Sequence, residues 1–235
     1  KRAVSGVLEQ AGALVGGVGA EAREPEGDAT GAADGDGGTG RGVSDVEVLV
    51  IDNDAQATGR EAALAAAADA GVPVRSSAEG SEEPEAVGLR YVVEERPGVA
   101  AVRNRALDET GGRDLLVFID DDEIPSPGWL KALVSTWRAQ GCAAVTGPTP
   151  PTFEVDPSAW VTASGAFDSW EAADGAQVRS ADTGNLLLDL GVVEGLGLRF
   201  DPRYGLTGGE DSLFTRQLAR AGGVIRFAAG AVVTK

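Results

Sequence analysis

The sequence predicts an α/β fold in which helices cover a mostly parallel sheet, and three observations predict it. From residue 46 onward, short apolar runs of strand length alternate with segments of helical period. Two of those runs lead directly into acidic clusters, as expected where ligand-binding loops follow the carboxyl ends of sheet strands. A chain of 235 residues that is 43% hydrophobic has material for a sizeable core, so one domain or a tight pair is expected over 1–235.

The opening KRAVSGVLEQAGALV sets Val4, Val7, Leu8 and Ala11 at helical spacing, so a helix begins almost at the first residue. From 16 to 42 the composition turns to Gly, Ala, Asp and Glu with almost no large apolar residue. Such a segment cannot bury enough surface to offset its ordering entropy and reads as a low-complexity, disordered insertion. Its DGDGG at 34–38 is only faintly like a calcium loop, because Gly38 stands where a ligand is needed, and it reads as solvated linker. Strands are expected at 46–51, 89–93, 114–119 and 142–146, and helices at 59–70, 98–110 and 127–139. In the last of these Ser126 suits the cap, Pro127 the first turn, and Leu130, Leu133, Val134 and Trp137 one apolar face. Beyond them NLLLDL at 185–190 reads as a strand, 209–222 as a helix stopped by Gly222 and Gly223, and VIRF and AVVT as closing strands.

Aspartate and glutamate outnumber lysine and arginine 37 to 20, a net charge of −17, which argues against the basic footprint of a nucleic-acid or anionic-membrane binder. The lone Cys142 excludes a disulfide framework and reads as a small buried thiol in a reducing compartment. No apolar run approaches the roughly 18 residues that span a bilayer. The absence of histidine removes imidazole from every catalytic or metal-binding set, and the absence of methionine reads as a clipped start.

Asp52-Asn53-Asp54 follows the first strand, where ordinary turn chemistry also accounts for the aspartates. The four consecutive acids Asp120, Asp121, Asp122 and Glu123 carry the stronger signal, since adjacent carboxylates repel and are relieved by a divalent cation. Alternate residues of an extended segment share a side, so Asp120 and Asp122 are expected to face one ligand together. A hard cation on one or two carboxylates leaves positions for phosphate oxygens, which makes a diphosphate complex of Mg2+ or Mn2+ the expected partner. A third element, Gly208-Gly209-Glu210-Asp211, opens a helix, and its acids either complement the helix dipole or supply a general base.

In order along the chain stand DNDA at 52–55, PGVAAVRNRAL at 97–107, VFIDDDEIPSPGWL at 117–130, GP at 147–148, TGN at 183–185, YGLTGGEDSLFTRQLARAG at 204–222 and AVVT at 231–234. This ordered set resembles family 2 glycosyltransferases of the GT-A fold, within them the ExoM-like succinoglycan-biosynthesis glucosyltransferase branch. The resemblance implies a Rossmann-like mixed sheet flanked by helices, a single GT-A domain over 1–235 that lacks its first strand. It implies a metal-dependent, inverting transfer of a sugar from a nucleotide-diphosphate donor, first of all a UDP-hexose, to a saccharide or lipid-linked acceptor in polysaccharide synthesis. It places Asp52, with Asp54 close by, and Arg103 at the nucleotide. Asp120 falls toward ribose and metal, Asp121 joins the donor-binding set, and Asp122 with Asp120 would hold Mn2+ or Mg2+. Asp211 falls to the base, with Glu210 beside it. The implied setting is cytoplasmic, at the inner face of the cell membrane, with any membrane association outside this segment and no nucleic-acid partner.

Trp160 and Trp170 lie between the acidic elements, where a ring can stack on a pyranose, whereas Trp129 and Trp137 at helical spacing read as core. Asn185, with Thr183 and Gly184, precedes a strand and is a candidate acceptor contact, as is Gly209. The sequence departs from the family twice. The family's first strand, with its Thr and Arg-type signature, is missing before the opening helix, and Lys235 stands where members carry Glu or His. Two alternatives stay open. A haloacid-dehalogenase-like phosphatase shares the strand-Asp-X-Asp outline but needs a downstream lysine, and of Lys1, Lys131 and Lys235 only the last two follow it, Lys131 on the polar side of its helix. The other is a truncated, non-catalytic transferase domain.

Overall fold

A computed structural model of the chain describes residues 2–21, 43, 45–76, 87–153, 155–165, 171–204 and 207–235. Its elements are α1 (Arg2–Glu21), β1 (Val46–Asp52), α2 (Arg60–Ala70), β2 (Val74–Arg75), β3 (Val87–Val93), α3 (Val99–Asp108), β4 (Leu115–Ile119), β5 (Ile124–Pro125), α4 (Trp129–Gln140), β6 (Ala144–Thr146), α5 (Ala159–Ser164), β7 (Gln177–Val178), β8 (Asn185–Asp189), α6 (Leu190–Gly195), a 3-10 turn at Pro202–Tyr204, α7 (Glu210–Arg220), β9 (Ile225–Phe227) and β10 (Val233–Thr234). Helix α1 runs past Gly16 to Glu21, into the segment expected to be disordered. The remainder of the 16–42 segment, with DGDGG, lies outside the described residues.

The strands form two main sheets. β1, β3 and β2 pair in parallel in the order β1-β3-β2, while the second sheet runs β4-β8-β6-β9-β7. The expectation of a mostly parallel sheet fails at β8, which is antiparallel to both β4 and β6. Strand β8 begins opposite the end of β6, with Leu186 against Thr146 and Leu188 against Ala144, so the chain returns along the sheet in the reverse direction. Strands β6 and β9 are parallel, and β7 closes the edge antiparallel to β9. No ladder joins β1 to β4 among the described residues.

Helix α1 spans this break. It packs against α2, β1 and β3 on one side and against α4 and β5 on the other, and Gln10 Oε1 accepts the Gly128 N–H at 2.8 Å. The alternation of β8 separates two cores: Leu187 faces a cluster with Leu8, Val48, Leu89, Trp129 and Leu133, while Leu186 and Leu188 face Phe200, Phe214, Leu218 and Phe227. Trp129 is buried as the helical spacing predicts, and Trp137 is half-buried with its Nε1–H donating to Asp189 at 3.0 Å. Ser126 does not cap α4. Gly128 occupies the cap position at φ 83°, and Ser126 turns instead to the closing strand, its hydroxyl donating to Val232 O at 2.9 Å. Gly222, at φ 96°, follows the end of α7 as expected. Cys142 is a buried free thiol whose pKa burial raises. Among the described residues no helix is long and apolar enough to cross a membrane.

Candidate functional site

The carboxyl end of β1 carries the first acids. Asp52 Oδ1 accepts the Asp54 N–H at 2.9 Å, and Oδ2 accepts the Gly59 N–H at 2.9 Å and the Tyr91 hydroxyl. Partial burial raises the Asp52 pKa, but these three donors outweigh it and hold the carboxyl below its ordinary range. Asp54 is used in the turn into α2: Thr58 Oγ1 donates to Oδ2 at 2.7 Å and the Gln56 N–H to Oδ1 at 2.9 Å, and these bonds lower its pKa. The neighbouring Asn53, to which sequence reasoning gave no role, ties this loop to the one after β3. Its Nδ2 donates to Glu94 O and Arg96 O, both at 2.7 Å, and its Oδ1 accepts the Gly98 N–H at 2.9 Å.

At the end of β4 the four acids are not extended. Glu123 N–H donates to Asp120 O at 3.2 Å, closing a tight turn, and Asp120 N–H donates back to Glu123 Oε2 at 3.3 Å. The turn tucks Glu123 inward to 2% exposure and leaves Asp121 and Asp122 exposed. Asp120 and Asp122 do converge on one position, through the turn rather than the strand pleat: Lys235 Nζ lies 3.6 Å from Asp120 Oδ2 and 3.1 Å from Asp122 Oδ1. Burial raises the Asp120 pKa against the opposing pull of Arg103 and Lys235, and the charges of Asp182 and Asp122 push it further. The same burial, with the charge of Asp120, pushes Glu123 up to about 7. Gly184 makes room for this buried carboxyl, since a Cβ there would sit 2.5 Å from Glu123 Oε1. Asp182, whose charge bears on both Asp120 and Glu123, was missed by sequence reasoning because one acid before a TGN turn reads as turn chemistry.

The third element meets the second through α3. Arg103 Nη1 donates to Glu210 Oε1, and Arg103 Nη2 lies 4.0 Å from Asp120 Oδ1. Glu210, expected beside the base as a catalytic acid, is 3% exposed and committed to this ion pair, so it is not open to an acceptor. Asp211 is only half-buried, with Oδ1 accepting the Ser212 N–H at 2.6 Å. It is the acid of the pair that α7 presents toward solvent, one position into the helix. Gly209 precedes it as the cap at φ 90°, a left-handed conformation that favours glycine.

The acceptor candidates divide. Asn185 is 0% exposed: its Oδ1 accepts the Trp129 Nε1–H at 2.9 Å and its Nδ2 donates to Ala231 O at 2.7 Å, so it is a framework residue closed to an acceptor. Its amide is internal because the residue opens β8, between two paired strands. Trp160, on α5, is 80% exposed and offers an open ring face. Trp170 lies outside the described residues.

Among the described residues no three acids, histidines or cysteines gather closely enough to hold a metal alone. The donor set still fits a hard cation held by two carboxylates and completed by a substrate's phosphate oxygens, because Asp120 and Asp122 already share one cation, the Lys235 ammonium.

Comparison with known proteins gives the following. The family model described as "Glycosyl transferase family 2" matches residues 42–170, which includes the acids after β1 and β4 and excludes Glu210 and Asp211. The chain is 31% identical over 182 residues to succinoglycan biosynthesis protein ExoM of Rhizobium meliloti (strain 1021), covering 77% of this chain and 54% of that protein. The chain thus spans about half the length of the curated relative it matches. Among solved structures, GalNAc-T7 with UDP, GalNAc and Mn2+ superposes with a TM-score of 0.56 at 12% identity, over 82% of this chain and 38% of that one. S. aureus TarS in complex with UDP gives 0.54 at 13% identity, over 84% of this chain and 53% of that one. At these identities the likeness is one of fold, the GT-A arrangement of helices on a mixed sheet.

Proposed function

The chain belongs to glycosyl transferase family 2, and from that premise we propose that it moves a sugar from a nucleotide-diphosphate donor, a UDP-hexose, to a saccharide or lipid-linked acceptor in polysaccharide synthesis, with inversion at the anomeric carbon. The observation that carries this reading is the corner where Asp120, Asp122, Arg103 and the start of α7 meet. Family membership leaves the phosphatase alternative without support.

Asp52, held ionised by its three donors, retains lone-pair capacity for a ribose or base hydrogen at the open end of β1. Asp120 and Asp122 would hold Mn2+ or Mg2+, and Trp160 offers a stacking face to an acceptor sugar. When bound, such a cation supplies positive charge to the departing diphosphate. Asp211, the half-exposed acid at the start of α7, takes the proton of an acceptor hydroxyl as that oxygen attacks the anomeric carbon. Opposed placement of base and leaving group makes a single displacement, which inverts the centre. GalNAc-T7 and TarS, whose structures carry UDP, support uracil as the base to test first. The test is calorimetric titration of UDP with and without Mn2+; no binding at millimolar nucleotide would indicate a non-catalytic domain and overturn the reading.

A further inference from the structure

Arg103 and Asn104 are adjacent on α3, and each contacts a distant segment of the chain. Arg103, with its side chain 12% exposed, pairs with Glu210 at the first position of α7 while Nη2 stands 4.0 Å from Asp120. Its guanidinium carbon lies over the Phe200 ring, 5.9 Å from the centroid. Asn104 grips the backbone of that same residue from both sides: Nδ2 donates to Phe200 O at 2.8 Å, and Oδ1 accepts the Phe200 N–H at 2.9 Å. The Phe200 ring in turn stacks on Phe214 of α7 at 4.2 Å and meets Phe118 of β4 edge-on at 5.8 Å. Two residues of α3 therefore register the helix that begins with Glu210 and Asp211 against the strand that ends before Asp120. The second oxygen of Glu210, Oε2, is buried without a partner, so Arg103 is what compensates this carboxylate.

We propose that Arg103 and Asn104 are positioning residues that fix the base Asp211 relative to Asp120, and that Arg103 is not a nucleotide contact. This rests on the transfer reading above. With Nη1 given to Glu210, Nη2 4.0 Å from Asp120 and the side chain only 12% exposed, the guanidinium offers little accessible surface to a phosphate. Loss of the registration displaces the base by a fraction of a helical turn, and a misplacement of about 1 Å costs on the order of 10²-fold in rate.

The test measures UDP affinity with Mn2+ and the transfer kcat in the intact protein for Arg103→Gln, Glu210→Gln and the double variant. The expected result is UDP affinity within about twofold of the unsubstituted protein, kcat lower by about 10²-fold in each single variant, and no further loss in the double, because the pair acts as one unit. Weakened UDP binding with unchanged kcat at saturating donor in Arg103→Gln makes it a nucleotide contact and overturns the proposal, as do additive losses. If the glutamine variants do not fold, Arg103→Lys decides: it keeps the charge without the fork, so kcat falls while UDP affinity holds, and full kcat overturns the proposal. If the unsubstituted protein binds no UDP, the transfer reading falls separately. The pair is then read from a double-mutant cycle of urea unfolding, where additivity counts against it.

Discussion

Lys235 Nζ lies 3.1 Å from Asp122 Oδ1 and 3.6 Å from Asp120 Oδ2, so an ammonium fills the position that a divalent cation shared by these carboxylates must take. The lysine is therefore a competitor for the metal before donor arrives. Its side chain is 51% exposed and that of Asp122 58%, and pairs so open contribute about 0.2–1 kcal/mol. Lys235→Ala should tighten Mn2+ binding in the absence of nucleotide by up to about fivefold, read by electron paramagnetic resonance of free Mn2+. Unchanged or weaker affinity removes the lysine from the metal position.

The two acidic elements should separate under mutation. Asp211→Asn should bind UDP and Mn2+ normally and lose transfer by about 10²–10⁴-fold, the usual worth of a general base. Asp122→Ala should instead lose the Mn2+ dependence of UDP binding. Calorimetry and a transfer assay on both variants check the pair, and retention of transfer in both would show that the site lies elsewhere.

Stability of the metal-free protein should fall with rising pH near neutrality. Burial first, then the charge of Asp120, raises Glu123 to about 7 from 4.5. Between those values the folded protein keeps a proton that the unfolded chain has released, so the unfolding free energy declines as pH increases, by about 1–3 kcal/mol in all. Urea unfolding from about pH 5 to about pH 7.5 should show this slope, and Glu123→Gln should flatten it. An unaltered slope in the variant assigns the effect to another group.

Gly147→Ala should destabilise the fold without touching the acids. A Cβ at this position would lie 2.1 Å from the backbone oxygen of Ala231, and a main-chain atom held by Asn185 cannot move aside cheaply. A loss of about 1–3 kcal/mol is expected from denaturant melts, with Asp120 and Asp122 still able to bind Mn2+. An unchanged midpoint would mean that the two segments separate more readily than the packing implies.

The strand ends and the acids that follow them were legible because an apolar run stopped by carboxylates is a local pattern. The Arg103–Glu210 pair was not, since its partners are 107 residues apart and nothing local marks either as the other's counterion. Asn104 left a fainter trace: asparagine is a poor helix former, and its place inside α3 already asked for a side-chain partner. The tight turn at 120–123 was read as extended because periodicity reports side-chain alternation and is silent on a turn closed by its own last carboxylate. Asn185 misled for a related reason. A small polar trio before a strand looks the same whether its amide faces ligand or framework, and only the pairing of β8 on both edges decides.

That amide has a further consequence. At one end it needs an acceptor, for the indole of Trp129 on α4; at the other it needs a donor, for the carbonyl of Ala231 just before β10. Only a side chain that is an acceptor at one tip and a donor at the other satisfies both, so the position is keyed by polarity as well as by size. An aspartate of the same shape would set oxygen against oxygen, and a leucine would strand both partners. One neutral, buried group thus locks together the helix that follows the acidic turn and the segment that delivers Lys235 to it, and the charged corner inherits its rigidity from a residue that carries no charge.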